Sequence, residues 1–423
     1  MTDHSPGASL SPHAHCDRCG RCLSVCPVYQ QSLVETDSPR GRADLTAAVI
    51  SGELKPGPRF AEIVDRCLLC RACASACPKG VNTPAGIIQA RADRRVRGFA
   101  ARLGAAALDA LVAHRGLMAA GVHVAGLFAR GLPLDETGGR HFPEYLPRLL
   151  AGRGVPAIST RPLRNRFPIL ISRTAGSPKR GQAVLFSGCY HGLVEPAPAV
   201  AAVRLLSLNG FDVVIPPGQQ CCGAPALFGG RLEGFRAALA KNLRVLAGVK
   251  GLVVSACPTC ASVLRGDYPA EAARMGGCEV ELSVAVAGRV HEVLTLLADL
   301  DSIVLPAGAP GVRNAAVHQP CHFVHAGGDG GAVARLLGRC GVAIALNQWG
   351  SCCGGGGLSS LKNPDLAYAL GRAVAETVAA SRADAALSAC PGCVLQIGSH
   401  LGRLGCRMPA LHPLEILYPR EEA

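Results

Sequence analysis

The alternation of apolar and polar positions is most regular in the C-terminal half of the chain, from residue 181 onward. Short apolar runs of strand length alternate there with longer segments in which apolar residues recur at helical spacing. Such an order is typical of α/β domains, whose parallel strands are joined by right-handed helical crossovers. The pattern predicts strands over 183–186, 211–215, 252–255, 315–318, 342–346 and 385–388, and helices over 196–209, 231–247, 333–337 and 364–381.

The N-terminal half lacks this alternation and is predicted to be mainly helical. A helix is expected to begin after Asp37 or Ser38, either of which is a good N-cap, with Pro39 in its first turn. The stretch 99–130 is rich in Ala, Leu, Val and Gly, but its uncharged run, 116–129, is too short to cross a bilayer. A buried helix is favoured there over a basic amphipathic helix resting on a membrane. The following stretch up to residue 180 indicates an irregular connector.

An internal repeat divides the C-terminal half into two copies of one domain. Both copies carry a single cysteine, then Cys-Cys-Gly, then Cys-Pro-x-Cys, and corresponding cysteines are 131 to 133 residues apart. This regular displacement indicates two copies of one structural unit. The cysteines of the first copy are Cys189, Cys221, Cys222, Cys257 and Cys260, and those of the second are Cys321, Cys352, Cys353, Cys390 and Cys393.

Every one of these cysteines follows a predicted strand. In an open parallel sheet this places them at the carboxyl edge, where such sheets bind ligands. The glycine after each cysteine pair is expected to let the backbone approach a bulky cofactor. A cluster site is favoured in each copy, although a zinc ion, or a cubane with one spare cysteine, stays an alternative because five cysteines exceed what a cubane needs.

Two further cysteine runs lie near the N-terminus. Each has the spacing Cys-x-x-Cys-x-x-Cys-x-x-x-Cys-Pro, the signature of two-cluster ferredoxins, in which the distant fourth cysteine completes the neighbouring cluster. Zinc sites or disulfides explain this spacing less well. The proline after each fourth cysteine is expected to begin a helix. One [4Fe-4S] cubane is therefore assigned to Cys16, Cys19, Cys22 and Cys77, and the other to Cys67, Cys70, Cys73 and Cys26.

These patterns predict a multidomain α+β protein, in which a small, mainly helical two-cluster ferredoxin domain precedes two repeated α/β domains with short parallel sheets. A chain of 423 residues has room for this number of domains. The predicted divisions are 1–98 for the ferredoxin-like domain, 99–180 for the helical segment and connector, 181–310 for the first α/β domain and 311–423 for the second.

Composition and charge limit the range of possible cellular compartments and binding partners. The 21 cysteines, together with the lack of a basic, apolar leader over 1–15, favour metal ligation in the reducing cytoplasm over disulfides. The formal net charge of +13 overstates the charge of the assembled protein, because each cubane with four thiolates is anionic. The remaining basic surface suits an acidic partner or an anionic membrane face. Nucleic-acid binding is not favoured, because no binding motif is present.

The repeated spacing around Cys221-Cys222-Gly223 and Cys257-Pro258-Thr259-Cys260 resembles the cysteine-rich CCG domain of heterodisulfide reductase subunits, over about residues 183–420. With the paired ferredoxin motifs in front, the architecture resembles the glycolate oxidase iron-sulfur subunit family and its lactate-oxidising and anaerobic glycerol-3-phosphate dehydrogenase relatives. The segment 37–42, Asp-Ser-Pro-Arg-Gly-Arg, is most similar to glycolate oxidase. The resemblance implies one or two further iron-sulfur clusters in the CCG domains, which in that family are non-cubane [4Fe-4S] clusters.

The resemblance also implies a function. FAD-containing partner subunits would oxidise glycolate or another 2-hydroxy acid, and this chain would pass single electrons through its clusters to a quinone or other membrane acceptor. No flavin or nicotinamide fingerprint is recognised in the chain, so a partner is expected to supply the two-electron chemistry. The expected location is cytoplasmic, with peripheral contact to the inner face of the cytoplasmic membrane as a further option.

One departure from the family favours a second hypothesis. Glycolate oxidase iron-sulfur subunits often lack some of the CxxC cysteines, whereas all ten CCG positions are cysteine here. A heterodisulfide-reductase-like catalytic subunit, which cleaves a disulfide at a CCG-bound cluster, is therefore the alternative. The third possibility is a structural protein that binds zinc and has no redox function.

The remaining notable residues receive minor roles. Three cysteines that match no motif are predicted to be buried apolar residues: Cys278, Cys340 and Cys406. Four histidines flank the first cysteine of each copy and are candidates for hydrogen bonds to cluster sulfurs, although ordinary loop histidines are favoured: His191, His318, His322 and His325. The glycine run 354–357 is interpreted as close backbone approach to a cluster and not as a nucleotide loop.

Overall fold

The computed structural model describes residues 16–94, 99–134, 140–143, 153–306, 311–348 and 352–419. Within these ranges a small helical domain and a pair of helices precede two α/β domains with short sheets. The predicted fold class is therefore confirmed. The opening residues, 1–15, on which the expectation about a leader depended, lie outside the described residues.

The N-terminal domain consists of short helices connected by the two cysteine loops. The predicted start after Ser38 is confirmed, because Ser38 Oγ accepts a hydrogen bond from Gly41 N at 2.9 Å and Pro39 is the first residue of its helix. Pro27 also begins a helix, but Pro78 opens only a turn, since the chain reverses at Gly80 with φ +67°. The helices are α1 (Arg21–Ser24), α2 (Pro27–Ser32), α3 (Pro39–Ile50), α4 (Pro58–Asp65), α5 (Ala72–Ser75) and α6 (Thr83–Ala92), with a 3₁₀ turn at Glu35–Asp37.

Two helices, α7 (Phe99–Ala113) and α8 (Arg115–Ala129), connect this domain to the rest of the chain and meet at a bend of 109°. The favoured prediction of a buried helix is wrong for α8, in which only Ala129 is buried. The exposed apolar side chains of α8 include Leu117, Val124, Leu127 and Phe128, the last of them 78% exposed. Its apolar composition is thus not explained by the protein core.

The described helices differ in how far they could reach into a bilayer. None of them alone is long and apolar enough to cross it. Only the bent pair, Leu103–Ala113 together with Arg115–Ala129, meets the requirement of length and composition.

Beyond the helices, the predicted irregular connector contains some regular structure. Strands β1 (Arg140–His141) and β2 (Gly154–Val155) pair antiparallel, and a 3₁₀ turn follows at Leu163–Asn165. Strand β3 (Leu170–Ile171) pairs antiparallel with a strand of the first α/β domain. The first sheet therefore begins before the predicted division at residue 181. Two-residue strands show no periodicity, which is why the sequence pattern missed them.

The first α/β domain contains a five-stranded sheet in the order β3-β5-β4-β6-β7, parallel except for β3. The three predicted strands correspond to β4, β5 and β6. The elements are β4 (Gly181–Leu185), α9 (Ala197–Leu208), β5 (Phe211–Val214), α10 (Ala224–Phe228), α11 (Leu232–Ala247), β6 (Leu252–Ser255), α12 (Pro258–Ser262), α13 (Tyr268–Met275), α14 (Glu279–Ala287), β7 (Val290–Glu292) and α15 (Val293–Ala298), with π-helical turns at Tyr190–Val194 and Val263–Asp267.

The second α/β domain contains a four-stranded parallel sheet in the order β11-β10-β8-β9. The three predicted strands correspond to β8, β9 and β10. The elements are β8 (Asn314–His318), α16 (Cys321–Val324), α17 (Ala332–Arg339), β9 (Ala343–Gln348), α18 (Leu358–Lys362), α19 (Pro364–Ala380), β10 (Ala385–Leu387), α20 (Pro391–Arg403), β11 (Ala410–Leu411) and α21 (Pro413–Leu417).

The two α/β domains share one hydrophobic core. Leu205 and Val293 of the first domain belong to the same buried cluster as Leu336 and Leu414 of the second. Across this interface His412 Nε2 donates a hydrogen bond to Ala256 O at 2.9 Å. Burial of each such leucine contributes roughly 1.5–3 kcal/mol. The shared core therefore fixes the position of the carboxyl edge of one sheet relative to that of the other.

Glu292 at the end of β7 gives a pH-dependent prediction. Its Oε2 accepts a hydrogen bond from Thr295 N at 3.0 Å and caps α15, while burial raises the pKa of the carboxyl group to about 8. The folded protein then holds this proton more tightly than the unfolded chain, so the stabilisation is complete below pH 4.5 and is lost as pH rises to about 8. The loss is about 4–5 kcal/mol.

Urea unfolding of the wild type and of Glu292→Gln at pH 5 and pH 8 measures this effect. The glutamine keeps the capping oxygen but has no titration, so we expect the stability of the wild type relative to the variant to fall with rising pH. A stability difference that is the same at both pH values would contradict the assignment.

Candidate functional site

The two N-terminal cysteine runs fold into the same tight loop. In each run the residues two and four positions after the first cysteine have left-handed backbone conformations: Arg18 (φ 52°) and Gly20 (φ 80°), and Leu69 (φ 54°) and Arg71 (φ 67°). Such a conformation costs a non-glycine residue about 1–2 kcal/mol. The surrounding structure therefore imposes these loops at a cost, as is common at functional sites.

The fourth cysteine of the first run lies with the triplet of the second run. One cavity is lined by Cys26, Cys67, Cys70 and Cys73. Burial raises the pKa of Cys73, and the neighbouring Cys67 and Cys26 thiols raise it further. Four thiols around one cavity fit a cubane, in agreement with the ligand exchange that the spacing predicts. We call these four residues the second cubane site. That they ligate a cluster stays a prediction.

The first cubane site is defined by Cys16, Cys19, Cys22 and Cys77. Burial raises the pKa of Cys22, and the thiols of Cys16 and Cys19 add to the effect, so these three lie together. Cys77 lies in the turn before α6, where its Sγ accepts a hydrogen bond from Val81 N at 3.4 Å. Its role as the fourth ligand also stays a prediction. Cys19 is exposed, which places this site nearer the surface than the second cubane site.

One of the arginines that follow the first cysteine run has a structural role near the second cubane site. Arg42 is buried, donates to Ile63 O at 3.1 Å and pairs with Asp37 at 3.3 Å. Burial raises the pKa of Cys26, and the charge of Arg42 opposes this rise. Arg42 therefore favours a thiolate at Cys26, as a metal ligand requires.

The five cysteines of the first α/β domain converge, as their positions after the strands predicted. Cys221 Sγ lies 3.6 Å from Cys189 Sγ. Hydrogen bonds from the Cys221 and Cys260 thiols lower the pKa of Cys222 to about 6. The Cys260 thiol also contacts that of Cys257. These five sulfurs form one connected group, which we call the first CCG site.

The second α/β domain repeats this arrangement. Cys353 Sγ lies 3.1 Å from Cys393 Sγ, and thiol contacts from Cys321 and Cys353 lower the pKa of Cys352. Contact with the Cys393 thiol lowers the pKa of Cys390 to about 7. The five sulfurs of this copy are the second CCG site. Two groups of five buried or half-buried thiols at sheet edges fit iron-sulfur clusters, because the thiolate is the form that ligates iron.

The glycine after each cysteine pair has a packing role that the sequence did not predict. A Cβ on Gly223 (φ +87°) would lie 2.6 Å from Phe235 Cδ2, and one on Gly354 (φ +74°) would lie 2.7 Å from Ala367 O. These glycines therefore let the cysteine loop pack against the second helix that follows it, α11 in the first copy and α19 in the second. Close backbone approach to the site itself occurs at Gly355, whose Cβ would lie 3.3 Å from Cys353 Sγ.

Gly354→Ala is accordingly expected to destabilise the second α/β domain by about 2–4 kcal/mol, since it combines a left-handed alanine with overpacking. Gly405→Ala is the matched control, because Gly405 (φ +65°) has the same backbone conformation but open space around it. The control is expected to cost only about 1 kcal/mol. Urea unfolding measures both variants, and equal losses would show that packing against α19 is unimportant.

The second cubane site and the two CCG sites meet at one junction. Burial raises the pKa of Cys70, and the next largest cause is the neighbouring Cys352 of the second CCG site. Thr259, between the last two cysteines of the first CCG site, has its Oγ1 4.0 Å from Cys390 Sγ. The same hydroxyl lies 2.9 Å from His322 Nδ1, while His322 Nε2 donates to Leu69 O in the cubane loop at 3.2 Å.

Several residues at this junction were missed by sequence reasoning. Arg71 of the cubane loop pairs with Asp267 of the first α/β domain at 2.5 Å, although 196 residues separate them. Buried Arg91 donates to backbone carbonyls of Val64, Cys67 and Phe228. No periodicity or spacing in the sequence points to these long-range contacts.

The minor predictions have mixed outcomes. Cys278 is exposed, so its predicted burial is wrong; it lies just after the turn at Gly276 and Gly277, on the surface before α14. Cys340 and Cys406 are only half-buried. Among the histidines, His322 is more than an ordinary loop residue, because it joins the cubane loop to Thr259.

Comparison with known proteins agrees with these sites. A family model described as a 4Fe-4S dicluster domain matches residues 13–81, and one described as a cysteine-rich domain matches 183–265 and 315–398. The dicluster match spans the eight N-terminal cysteines, and the repeated match spans the two CCG sites. Multiple [4Fe-4S] clusters are therefore the cofactors of this chain.

Curated relatives match nearly the whole chain. A probable glycolate oxidase iron-sulfur subunit from Bacillus subtilis is 28% identical over 95% of this chain and 93% of its own length. The glycolate oxidase iron-sulfur subunit of Escherichia coli is 26% identical over 95% and 92%. One of the subunits of the fumarate reductase (CoM/CoB) of Methanothermobacter marburgensis is 27% identical over 92% of this chain and 68% of its own length.

A solved structure of a hypothetical protein from Helicobacter pylori superposes with a TM-score of 0.45 at 10% identity, over 86% of this chain and 65% of that one. This value is too low to bear on the fold. The motifs, the sulfur geometry and the curated relatives together lead to one conclusion: the chain joins a 4Fe-4S dicluster domain to two copies of a cysteine-rich CCG domain, and it is similar over nearly its whole length to glycolate oxidase iron-sulfur subunits.

Proposed function

We propose that this chain carries electrons from FAD-containing partner subunits, which oxidise glycolate or another 2-hydroxy acid, towards a quinone. The role of an iron-sulfur electron-transfer subunit is supported by its relatives, which are iron-sulfur subunits of oxidoreductase complexes. A bound cluster accepts and releases one electron at a time, whereas the flavin handles two. The residues of this chain hold the clusters, bury them and bring them close together.

The observation that carries the proposal is the continuity of the sulfur sites. The Cys22 thiol of the first cubane site is one of the neighbours that raise the pKa of Cys73 in the second. Cys70 of the second cubane site neighbours Cys352 of the second CCG site. Cys390 of that site lies 4.0 Å from Thr259 of the first CCG site. Four neighbouring cluster sites in a row are what stepwise electron transfer requires, whereas catalysis at a single pocket does not require them.

The two ends of this line suggest where electrons enter and leave. The first cubane site contains the exposed Cys19, so we assign it to the flavin partner. At the other end, Arg115 at the start of α8 donates to Gly188 O and Gln219 O beside the first CCG site, both at 3.4 Å. We assign this end to the acceptor, because α8 carries the exposed apolar side chains.

An open cavity of about 550 Å³ lies at the same end, where α7 and α8 bend. It is lined by His114, Arg115, Leu117, Gln220 and Lys241. Cationic and hydrogen-bonding groups next to an apolar helix suit an amphipathic acceptor such as a quinone. The proposed location is accordingly the cytoplasmic side of the membrane, with α8 in peripheral contact with the lipid.

Peripheral contact gives a direct prediction. The double variant Leu127→Asp, Phe128→Asp adds two negative charges to the exposed face of α8 and is expected to reduce sedimentation with vesicles of anionic lipid several-fold. Val284→Asp is the control, because Val284 is similarly exposed but lies on α14. Undiminished vesicle binding by the double variant would remove α8 from the membrane contact.

The whole proposal is tested by anaerobic purification of the tagged chain from its native host. The visible spectrum is recorded before and after addition of glycolate or lactate. A flavin that co-purifies and bleaches together with the iron-sulfur absorbance supports a 2-hydroxy-acid oxidase complex. Iron without flavin, and no bleaching, contradicts it.

The second candidate function is disulfide cleavage at a CCG site. It is favoured by the ten intact cysteines of the two CCG sites. Disulfide cleavage needs two electrons, which the cubane sites would deliver singly from a reduced partner. Electron paramagnetic resonance of the reduced protein with added disulfide tests it, and cluster signals that ignore the disulfide count against it.

A further inference from the structure

The two CCG sites are not chemically identical. The residue three positions before the first cysteine is Phe186 in the first copy and His318 in the second. The two positions are equivalent, because the repeated family match starts at residues 183 and 315 and the offset between the copies is the same for the first cysteines. A buried phenyl ring in one copy is thus replaced by a buried imidazole in the other.

His318 lies among the sulfurs of the second CCG site. A ring nitrogen of His318 and the Sγ atoms of Cys353 and Cys393 all lie within 4.8 Å of one another. All three residues are buried, with His318 only 1% exposed. One metal ion could therefore contact all three after small side-chain adjustments.

The hydrogen bonds of His318 leave one nitrogen available. Gln348, its partner on the neighbouring strand β9, places Oε1 3.4 Å from His318 Nδ1. Because an amide oxygen only accepts hydrogen bonds, Nδ1 carries the proton and Nε2 carries the lone pair. Among the described residues Nε2 has no hydrogen-bond partner, although it is fully buried. A buried, unpartnered lone pair is unfavourable unless a ligand satisfies it.

Metal-binding histidines usually show this arrangement. Their second ring nitrogen donates to an oxygen, which sets the tautomer and the orientation of the ring. Gln348 supplies that oxygen here. In the first copy Phe186, at the equivalent position, offers no ligand atom.

We propose that His318 Nε2 is a ligand of the iron-sulfur cluster at the second CCG site, so that the two CCG sites hold clusters with different ligand sets. The proposal depends on a cluster at this site and is independent of the partner and the substrate. Where this neutral imidazole serves as a ligand instead of one of the five thiolates, the cluster carries less negative charge and its reduction potential is raised. The second CCG site is then more easily reduced than an all-cysteine site, which makes it an electron sink next to the second cubane site.

The test uses the intact chain with histidine labelled with ¹⁵N, purified anaerobically and examined by pulsed electron paramagnetic resonance. A directly bound imidazole is expected to give a histidine nitrogen coupling several-fold stronger than that of any hydrogen-bonded nitrogen. His318→Phe, which copies the first site, is expected to abolish the coupling. His325→Ala is the matched control, since His325 lies beside the same site, and it is expected to retain the coupling.

Two results would overturn the proposal. One is a wild-type chain with filled clusters and no strong histidine coupling. The other is a coupling that persists in His318→Phe. The wild-type measurement needs no variant, so it decides the matter even if His318→Phe fails to fold. Redox titration adds a second readout, in which His318→Phe is expected to shift one midpoint potential to a more negative value.

Discussion

Replacing Cys70 by serine is expected to stop electron transfer from the reduced flavin partner to quinone while leaving flavin reduction by the 2-hydroxy acid intact. Cys70 lines the second cubane site and also neighbours Cys352 of the second CCG site. Loss of this thiol removes a side chain of the second cubane site that neighbours both Cys352 and Cys321 of the second CCG site. We expect quinone reduction to fall by more than about 100-fold, the upper end of the loss seen when only supporting residues of a metal site are removed.

The experiment compares two rates in the isolated complex, flavin bleaching by substrate and reduction of a soluble quinone. Cys278→Ser is the control, because Cys278 is exposed and belongs to no cluster motif. It is expected to leave both rates unchanged. Quinone reduction that continues at the wild-type rate in Cys70→Ser would falsify the proposed electron path.

Arg91→Met is expected to destabilise the protein by about 3–5 kcal/mol and to accelerate loss of iron from the second cubane site. Arg91 is buried in α6 and donates to Val64 O at 2.7 Å, to Cys67 O at 2.6 Å and to Phe228 O at 2.6 Å. It thereby ties the start of the second cysteine loop to the end of α10 in the first α/β domain. Methionine fills the same space but leaves these buried carbonyls without their donor.

Urea unfolding and the rate of iron release to a chelator measure the two effects. Arg59→Met is the matched control, because Arg59 is exposed and its ion pair with Glu62 is worth less than about 1 kcal/mol. If Arg91→Met lost no more stability than this control, the buried hydrogen bonds would not be what holds the loop in place.

The regular elements of the α/β domains were largely predictable. Strands such as β6 and β10 are short and apolar, and a Cys-Pro pair follows each of them closely, so their pattern reflects burial on both faces of a parallel sheet. The helix beginning at Ser38 was predictable for a local reason, since its cap forms within three residues. Where structure is decided by neighbours in sequence, pattern and propensity were enough.

The errors concern features decided by distant neighbours. The apolar run of α8 was assigned to the core, but α8 buries only Ala129 and exposes Leu127 and Phe128. The packing of Gly354 against helix α19, which leaves no room for a side chain, was not predicted either. Composition shows how apolar a segment is, but it does not show what the segment faces.

By itself the sequence predicted which cysteines group into sites, and it determined the repeat that relates two of these groups and their place after successive strands. These properties depend on spacing along the chain, and spacing limits which thiols can reach one cofactor. Only the tertiary structure decided which sites adjoin, because His322, Arg71 and Arg91 connect loops that are far apart in sequence. It likewise decided that His318 lies among the sulfurs, since burial and a free lone pair result from packing and not from spacing.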